Sequence, residues 1–291
     1  MRNFALRLRL FLGVALLGFC LTGCSVAQPL TGVLEGDQHW RGRVLLRGDV
    51  VLAEGATLHI APGTQVLFLP PVESEDLLTL HPYFPGSELI VHGRLVARGT
   101  PSNPIQFRAA DPEAGPGSWG AINLRESPEA LFSHCIFTQA DSAIHSFGSR
   151  VRVEHSLFEH NLVALRFNTS EIVIEHNLIR ENDAGIRFHL GAPLIVNNIL
   201  RDNNKSFFLT SDPRDYHIRH NNILGSREYA VVLGEEVPDE VMMADNYWGT
   251  TDARSIEDGF FDGRRLNHLG QVRYQPLATQ PFAEAGPAWS P

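Results

Sequence analysis

Apolar and polar positions repeat along residues 130–250 with a period of 21 to 24 residues. Within each repeat apolar residues alternate with polar ones, as where Val151 and Val153 flank Arg152. Such alternation predicts half-buried strands, with the valines directed inward and Arg152 directed to solvent. At about 3.3 Å per residue, a period of about 21 residues predicts one coil of three short strands and three turns.

A small or amide residue follows the alternating segment of every repeat. In six successive repeats this position holds Cys135, Ser156, Asn177, Asn198, Asn222 and Asn246. The same spacing relates a second series, Asn161, Asn182 and Asn203. Asparagine tolerates a left-handed backbone, and stacked amides can pass hydrogen bonds from coil to coil, so we predict a structural ladder in the turns. Leucine-rich repeats have a similar period, but their fixed leucine spacing and helical segment are absent from this sequence.

The N-terminal part shows the same alternation of apolar and polar residues, but its period is less regular. Alternating runs over residues 50–68 and 88–107 are separated by glycine and proline turns, which predicts further coils of the same body. Residues 70–87 contain four prolines and interrupt the pattern. We predict that they form a loop extruded from one turn, which could wall a groove.

The first 23 residues have the features of an export signal. Arg2, Arg7 and Arg9 form a positive region, and an apolar run follows over residues 10–21. This run is shorter than the ~20 residues that a helix needs to cross a bilayer. It suits the apolar region of a signal peptide, and we assign residues 1–23 to that role.

The apolar run ends in Leu21-Thr22-Gly23-Cys24, which resembles the bacterial lipobox. The resemblance implies lipidation of Cys24 and a short tether over residues 24–30. More than one acyl chain gives stable membrane anchoring. Ser25 stands where an aspartate marks inner-membrane retention, so for a Gram-negative source we predict an outer-membrane lipoprotein.

The net charge of the chain limits the kinds of molecule that it can bind. The full chain has 24 basic and 33 acidic residues and a net charge of −9. Residues 1–23 contain three arginines and no acid, so their removal leaves 21 basic residues against 33 acidic ones, a net charge of −12. Nucleic acid is excluded as a partner because phosphate binding needs a clustered positive field. Polyanionic glycans are poor default ligands unless a local basic strip attracts them.

The repeats resemble the bacterial secreted right-handed β-helix proteins, the pectin-lyase-like superfold with PbH1 repeats. The N-terminal coils of that family have sequences similar to residues 55–68 and 93–107. Its last coil often ends in a motif similar to Asn246-Tyr247-Trp248-Gly249. A tail like residues 256–277 commonly covers the end of the coil. The resemblance implies an all-β, single-stranded right-handed parallel β-helix over residues 31–250, with a C-terminal cap and tail over residues 251–291.

This superfold carries lyases, hydrolases, epimerases and proteins without activity, so it does not specify a reaction. The calcium-binding acids and arginine base of pectate lyases have no recognisable match, and the polygalacturonase motifs are missing. Asp212-Pro213-Arg214-Asp215 is similar to the Asp-Pro-His-Asp motif of mannuronan C5-epimerases, whose histidine serves in proton abstraction. Arg214 replaces that histidine and stays protonated, so we predict a proline turn and assign no catalytic residue.

Three histidines, His134, His155 and His176, recur at 21-residue steps. On stacked coils their imidazoles would lie about 5 Å apart. Such a column could bind a metal, and the copper-site maturation proteins of nitrous oxide reduction share this fold. The alternation of Val153 and Ile174 directs the histidines toward the interior, so we favour stacked, hydrogen-bonded imidazoles and assign no metal and no cofactor. Acid should then destabilise the fold, because charging buried neighbours costs free energy.

An outward strip is formed by His145, Arg166 and Arg187, at equivalent positions of consecutive repeats. Two positions after each of them stand Phe147, Asn168 and His189, respectively. Neighbouring like charges on a sheet repel, and a carboxylate or sugar ligand would relieve that repulsion. We therefore select His145, Arg166, Arg187 and His189 as candidate ligand-binding residues. The strip could equally pair with acids such as Glu159 or Glu181.

Three functions fit these residues. The leading hypothesis is a non-catalytic envelope lipoprotein, anchored to a membrane by its N-terminal lipid, whose rigid β-helix presents a face to a polysaccharide or an envelope protein. It rests on the anchor, the acidic chain and the lack of an intact catalytic set. The alternative is a polysaccharide lyase or C5-epimerase-like enzyme with a divergent site. The third is a metal-handling accessory protein for copper.

Overall fold

The computed structural model describes residues 28–70 and 84–290. The predicted signal peptide, Cys24 and most of the predicted loop over residues 70–87 lie outside these ranges. Within the described part, no helix is long and apolar enough to span a membrane.

The described residues form 27 strands and one short helix. The N-terminal coils contain β1 (Leu30–Leu34), β2 (Asp37–Trp40), β3 (Arg43–Leu52), β4 (Thr57–Ile60), β5 (Gln65–Leu69), β6 (Glu88–Val91), β7 (Arg94–Arg98), β8 (Ile105–Ala109) and β9 (Trp119–Arg125). The regular repeats contain β10 (Ala130–Ser133), β11 (Cys135–Thr138), β12 (Ala140–Phe147), β13 (Arg150–Glu154), β14 (Leu157–Glu159), β15 (Val163–Asn168), β16 (Glu171–Glu175), β17 (Leu178–Arg180), β18 (Ala184–His189), β19 (Leu194–Val196), β20 (Ile199–Arg201), β21 (Lys205–Ser211), β22 (His217–Arg219), β23 (Asn222–Leu224) and β24 (Tyr229–Glu236). The C-terminal part contains β25 (Val241–Met242), α1 (Ala253–Asp258), β26 (Phe260–Phe261) and β27 (Val272–Arg273).

Every strand of the coils pairs in parallel with its equivalent one coil away. One line of strands runs β2-β4-β7-β10-β13-β16-β19-β22 and forms an eight-stranded sheet. The other two lines join into a 17-stranded sheet, because the long strand β3 pairs with both β5 and β6. The molecule is a parallel β-solenoid of about nine coils, which confirms the predicted three strands per coil.

Stacked aromatic rings fill the interior. Phe137 lies opposite Phe158 in the register of β11 and β14, and their ring centroids are 4.4 Å apart. Phe107 continues the stack on the preceding coil at 4.9 Å from Phe137. All three side chains are fully buried. Such close aromatic packing stabilises a fold in which each coil contacts only its neighbours.

The asparagine ladder hydrogen-bonds each coil to the next. Asn198 Oδ1 accepts from the backbone N–H of Asn177 at 2.9 Å, and Asn198 Nδ2 donates to the carbonyl of Ile174 at 2.8 Å. The next member is Asn221, whose Oδ1 accepts from the backbone N–H of Asn198 at 3.0 Å. The prediction of Asn222 at this position is wrong, because the repeat lengthens to 23 residues there and then to 25. Asn222 instead begins β23.

The left-handed backbone conformation belongs to the residue before each ladder asparagine. The φ angle is 53° at His176 and 55° at Asn197, whereas Asn177 and Asn198 do not adopt positive φ. The ladder positions therefore select asparagine for its hydrogen bonds, and the predicted role in the left-handed turn is wrong for them. That role falls to the preceding residue, which also turns its side chain away from the interior.

The C-terminal part adds one more strand to the last coil. β26 pairs in parallel with β24, with Val231 opposite Phe260. Phe260 is fully buried, and its ring centroid lies 5.1 Å from that of Trp248 and 5.7 Å from that of Tyr274. The strand thus covers an edge that would otherwise be open to another chain.

Candidate functional site

The outward strip follows the register of four neighbouring strands. His145 of β12 lies opposite Arg166 of β15, Arg166 lies opposite Arg187 of β18, and Arg187 lies opposite Phe208 of β21. Asn168 and His189 are paired in the same way two residues further along. The predicted equivalence of these positions is confirmed, and their part in ligand binding stays a prediction.

All four predicted residues line one lateral groove, called here the arginine groove. It has a volume of about 600 Å³ and includes His145, Arg166, Arg187, His189, Phe147 and Phe208. Phe147 is 39% exposed, so an apolar ring face is open to solvent beside the charged groups. A concave site with aromatic walls and a few convergent polar groups has the general character of a ligand site.

His145 faces this groove but is buried, with an exposed fraction of only 4%. Its Nδ1 lies 2.9 Å from Asn123 Oδ1, and Asn123 Nδ2 donates to Glu88 Oε2 at 3.1 Å. Because Oδ1 of Asn123 can only accept, the Nδ1 of His145 carries the proton in this contact. Phe84 covers the ring, with centroids 5.0 Å apart. His145 therefore holds the outward position that the sequence predicts, but Phe84 covers it, so that it is not exposed to solvent.

The two arginines have no ion pair within the described residues, where no carboxylate oxygen lies within 4.0 Å of either guanidinium. Each lies instead over an aromatic ring: Arg166 over Phe84 at 5.5 Å and Arg187 over Phe208 at 4.9 Å. Burial lowers the pKa of both guanidinium groups, and the charge of Arg187 lowers the pKa of Arg166 further. The groove thus holds two partly desolvated positive charges on adjoining coils.

The acids proposed as alternative partners are occupied elsewhere. Glu159 pairs with Arg180 at 2.7 Å, and Glu181 lies 3.4 Å from His160. Pairing of the strip with Glu159 or Glu181 is therefore wrong. Asp141 is the acid that interacts electrostatically with both Arg166 and Arg187. Burial raises the pKa of the Asp141 carboxyl, and the charges of the two arginines oppose that rise.

Polar acceptors and donors complete the groove. Asn168 Oδ1 is buried and accepts no hydrogen bond from any residue in the described part of the chain. His189 Nδ1 lies 3.3 Å from Thr210 Oγ1 and 4.0 Å from Glu236 Oε2. A buried acceptor without a donor is costly.

The second histidine pattern lies outside the arginine groove. The ring centroids of His134 and His155 are 5.2 Å apart, and those of His155 and His176 are 5.1 Å apart, which confirms the predicted stacking. The predicted inward direction is wrong, because each histidine has positive φ and is only half-buried on the outside of the turn. Rings stacked at interplanar angles of 30° and 20° hold their nitrogen lone pairs in nearly parallel planes, so three rings do not converge on one ion. In residues 28–70 and 84–290, no three potential ligands form a metal-binding group.

The segment Asp212-Pro213-Arg214-Asp215 forms the connection between β21 and β22, which confirms the predicted turn. Asp215 has a φ angle of 50°, as a tight turn requires. None of the four residues lines the arginine groove.

Four residues of the site were missed in the sequence: Phe84, Glu88, Asn123 and Phe208. Two of them belong to the same outward positions as the strip, Asn123 opposite His145 and Phe208 opposite Arg187. Extending the repeat by one coil in each direction would have found them. Phe84 and Glu88 lie in the irregular N-terminal coils, where the period gives no such signal.

The fold defines the class: a parallel β-helix protein, which here has a lateral groove. A family model described as the right handed beta helix region matches residues 116–236, which hold the regular coils. This similarity confirms the right-handed parallel β-helix that the sequence predicts. Searches of the curated proteins and of the solved structures each found no match.

Proposed function

We propose that this protein is an envelope-anchored, non-catalytic β-helix module that binds an anionic glycan in the arginine groove. The observation that carries this proposal is the pair Arg166 and Arg187, two guanidinium groups on adjoining coils without an ion pair among the described residues. The β-helix fold is consistent with a carbohydrate-related or structural module.

Charge complementarity supports an acidic ligand. Guanidinium groups bind carboxylates through two parallel hydrogen bonds, which makes arginine the preferred residue for this recognition. An anion that bridges Arg166 and Arg187 would also remove the repulsion between like charges on neighbouring strands. A uronic acid carboxylate has the required charge and geometry.

The rest of the groove supports a sugar rather than a simple anion. Phe147 presents an exposed ring face, and Phe208 lies beside Arg187. The net charge of −9 disfavours indiscriminate attraction of polyanions, so binding depends on the local pair of arginines.

The envelope location rests on the sequence alone. The positive residues, the short apolar run and the lipobox-like Cys24 all occur in the order that an exported lipoprotein requires. We place the protein on the outer membrane, with a polysaccharide or an envelope protein as its partner.

A second candidate function is a polysaccharide lyase or C5-epimerase. The observation that favours it is the buried His145, oriented by Asn123 and opposite Arg166 in register. Proton abstraction next to a sugar carboxylate needs a positioned base and a cation that neutralises the carboxylate. The groove provides residue types for both roles.

The binding test uses the full chain in detergent and short oligogalacturonates, measured by isothermal titration. Arg166→Gln or Arg187→Gln should weaken binding about tenfold to a hundredfold, because each removes a charged hydrogen bond worth about 1.5–3 kcal/mol. Fully methyl-esterified oligosaccharides, which lack the carboxylates, should bind no better to the native chain than to the variants.

The matched control is Arg150→Gln. Arg150 is an exposed arginine on the eight-stranded sheet and pairs with Glu171 at 3.1 Å, so its loss should leave binding unchanged. Equal affinity of all three variants and the native chain would contradict the proposal. Absorbance from unsaturated sugars during the titration would show that the protein is a polysaccharide lyase and not a binding module. Epimer exchange seen by NMR would show that it is an epimerase.

A further inference from the structure

Residues 282–289, called here the strap, run back along the outside of the coil stack. They cover the turn column, which consists of the left-handed residues His134, His155, His176, Asn197 and His220. Each of these residues directly precedes a ladder position, which is held by Cys135, Ser156, Asn177, Asn198 and Asn221 in turn. Phe282 lies with its ring 5.1 Å from that of His220. At the other end of the strap, the indole N–H of Trp289 donates to the carbonyl of His155 at 2.6 Å.

One contact of the strap depends on the protonation state of a histidine. The backbone N–H of Ala288 donates to Nδ1 of His155 at 3.4 Å. Nδ1 can accept this bond only while it carries a lone pair, so the ring must be neutral with its proton on Nε2. Protonation would place two N–H groups against each other.

The contact at the next histidine has the opposite requirement. His176 Nδ1 lies 3.1 Å from the carbonyl oxygen of Glu284, so Nδ1 must donate there. A neutral or a charged ring can make that bond. The strap is therefore sensitive to the charge of His155 through its own hydrogen bond, and only indirectly to the charge of His176.

The surroundings of His155 contain charges of both signs. His134 and His176 stack on its two faces. Glu154 and Glu175 are the nearby acids, and both are bonded to Arg152. The strap contributes Ala288 and Trp289, and its only titratable side chain, that of Glu284, is exposed.

These surroundings favour the neutral ring. Burial lowers the pKa of His155, and His176 and Arg152 lower it further while Glu154 and Glu175 oppose the shift. Burial also lowers the pKa of His134. His176, Arg152 and the two glutamates stay beside His155 when the strap leaves, so the strap lowers this pKa only through the burial and the Ala288 contact that it adds. Docking is therefore fully stable above the pKa of the released ring and weakens as the pH falls below it.

We propose that the strap is a proton-operated cover: it lies on the turn column at neutral pH and is released when His155 is protonated. Release exposes the stacked imidazoles of His134, His155 and His176 along one edge of the coil stack. The contacts of the coils with one another are unaffected, because the asparagine ladder contains no titratable group. The device is independent of the arginine groove, which lies on a different line of strands.

Hydrogen exchange of the strap amides tests this proposal in the full chain in detergent. The N–H of Gly286 donates to the carbonyl of Asn197 at 2.8 Å, so this amide and that of Ala288 both report docking. After correction for intrinsic rates, their protection should fall at least about tenfold between about pH 7.5 and about pH 5. The ladder amides of Asn177 and Asn198 should keep their protection across the same range. Trp289→Ala should remove the strap protection at both pH values and so shows that the measurement reports docking.

His155→Asn is the decisive variant. Asparagine occupies the equivalent left-handed position at Asn197, so the substitution keeps the turn while it removes the titrating group. The pH dependence of strap protection should disappear, whether the variant strap stays docked or is released at both pH values. The matched control, His160→Asn, changes an exposed left-handed histidine that pairs with Glu181 away from the strap, and it should behave as the native chain.

Strap protection that is equal at both pH values in the native chain would overturn the proposal. Strap release that still depends on pH in His155→Asn, to the same extent as in His160→Asn, would overturn it as well.

Discussion

At the scale of single residues, the buried amides connect the coils. The two N–H groups of Asn198 Nδ2 are shared among three acceptors, the carbonyls of Ile174 and Val196 and Asn221 Oδ1. The Oδ1 of Asn198 accepts from the backbone and the side chain of Asn177. The side chain is fully buried, so water cannot replace any of these partners. Its energetic importance lies in the polar groups that it would leave unsatisfied.

We expect Asn198→Ala to lower the free energy of unfolding by about 3–5 kcal/mol, since several buried polar groups lose their partners at about 1–3 kcal/mol each. Urea denaturation followed by circular dichroism measures this loss. Asn204→Ala is the control: Asn204 donates to Asp183 at 2.8 Å in an exposed setting, and its loss should cost no more than about 0.5 kcal/mol. Equal losses for the two variants would show that the ladder does not stabilise the fold.

At the scale of the elements, the last coil needs a cover because each coil is stabilised by its neighbours on both sides. β26 supplies backbone partners to β24, and Phe260 fills the space between Trp248 and Tyr274. The start of α1 is held by Asp252, whose side chain accepts from the backbone N–H of Ser255 at 2.9 Å. β26 and α1 therefore act on the end of the stack, whereas the strap runs along its side.

Phe260→Ala should leave a cavity and destabilise the last coil by about 3–5 kcal/mol. Hydrogen exchange of β24 should accelerate strongly, whereas exchange of β12 should change little, because stability in a repeat protein is largely a matter of nearest neighbours. Phe261→Ala removes the adjacent, only partly buried ring and should have a smaller effect. Uniform acceleration along the whole chain would contradict this local role of Phe260.

At the scale of the whole molecule, an acidic body is joined to a short N-terminal segment with the features of a lipid anchor. The net charge of −9 gives little electrostatic attraction to an anionic membrane surface. If the protein is attached to a membrane as proposed, we expect the attachment to depend on acyl chains at Cys24.

Cys24→Ala should shift the protein from the membrane fraction to the soluble or unprocessed pool, and mass spectrometry should show no lipid on the variant. Cys135→Ala is the control, because Cys135 is fully buried in the β-helix and burial raises the pKa of its thiol far above the ordinary value. It should leave membrane partition unchanged. A Cys24→Ala chain that still carries lipid would disprove the predicted anchor.

The repeat made much of the architecture predictable. In a β-solenoid, residues that are one period apart become neighbours, so long-range contacts can be found in the spacing of the sequence. For this reason the sequence predicted three features correctly: the three strands per coil, the register of His145, Arg166 and Arg187, and the stacking of His134 and His155.

Errors arose where local geometry departs from that regularity. The change in repeat length moved the ladder from Asn222 to Asn221. A left-handed residue interrupts the alternation of a strand, so His134 and His155 turn outward although alternation directs them inward. Neither effect can be deduced from the apolar pattern, because both depend on the backbone conformation of a turn.

The sequence by itself determined the coil, its period and the columns of like residues. Only the tertiary structure decided which of those columns are covered. Phe84 covers His145, and the strap reaches His155 from Trp289, 134 residues away. Contacts of this kind join segments whose separation bears no relation to the period, so packing alone selects them. The physical reason is that a repeat encodes only the contacts between neighbouring coils. The outer surface of each coil can be covered by any other segment of the chain, and the repeat does not specify which one.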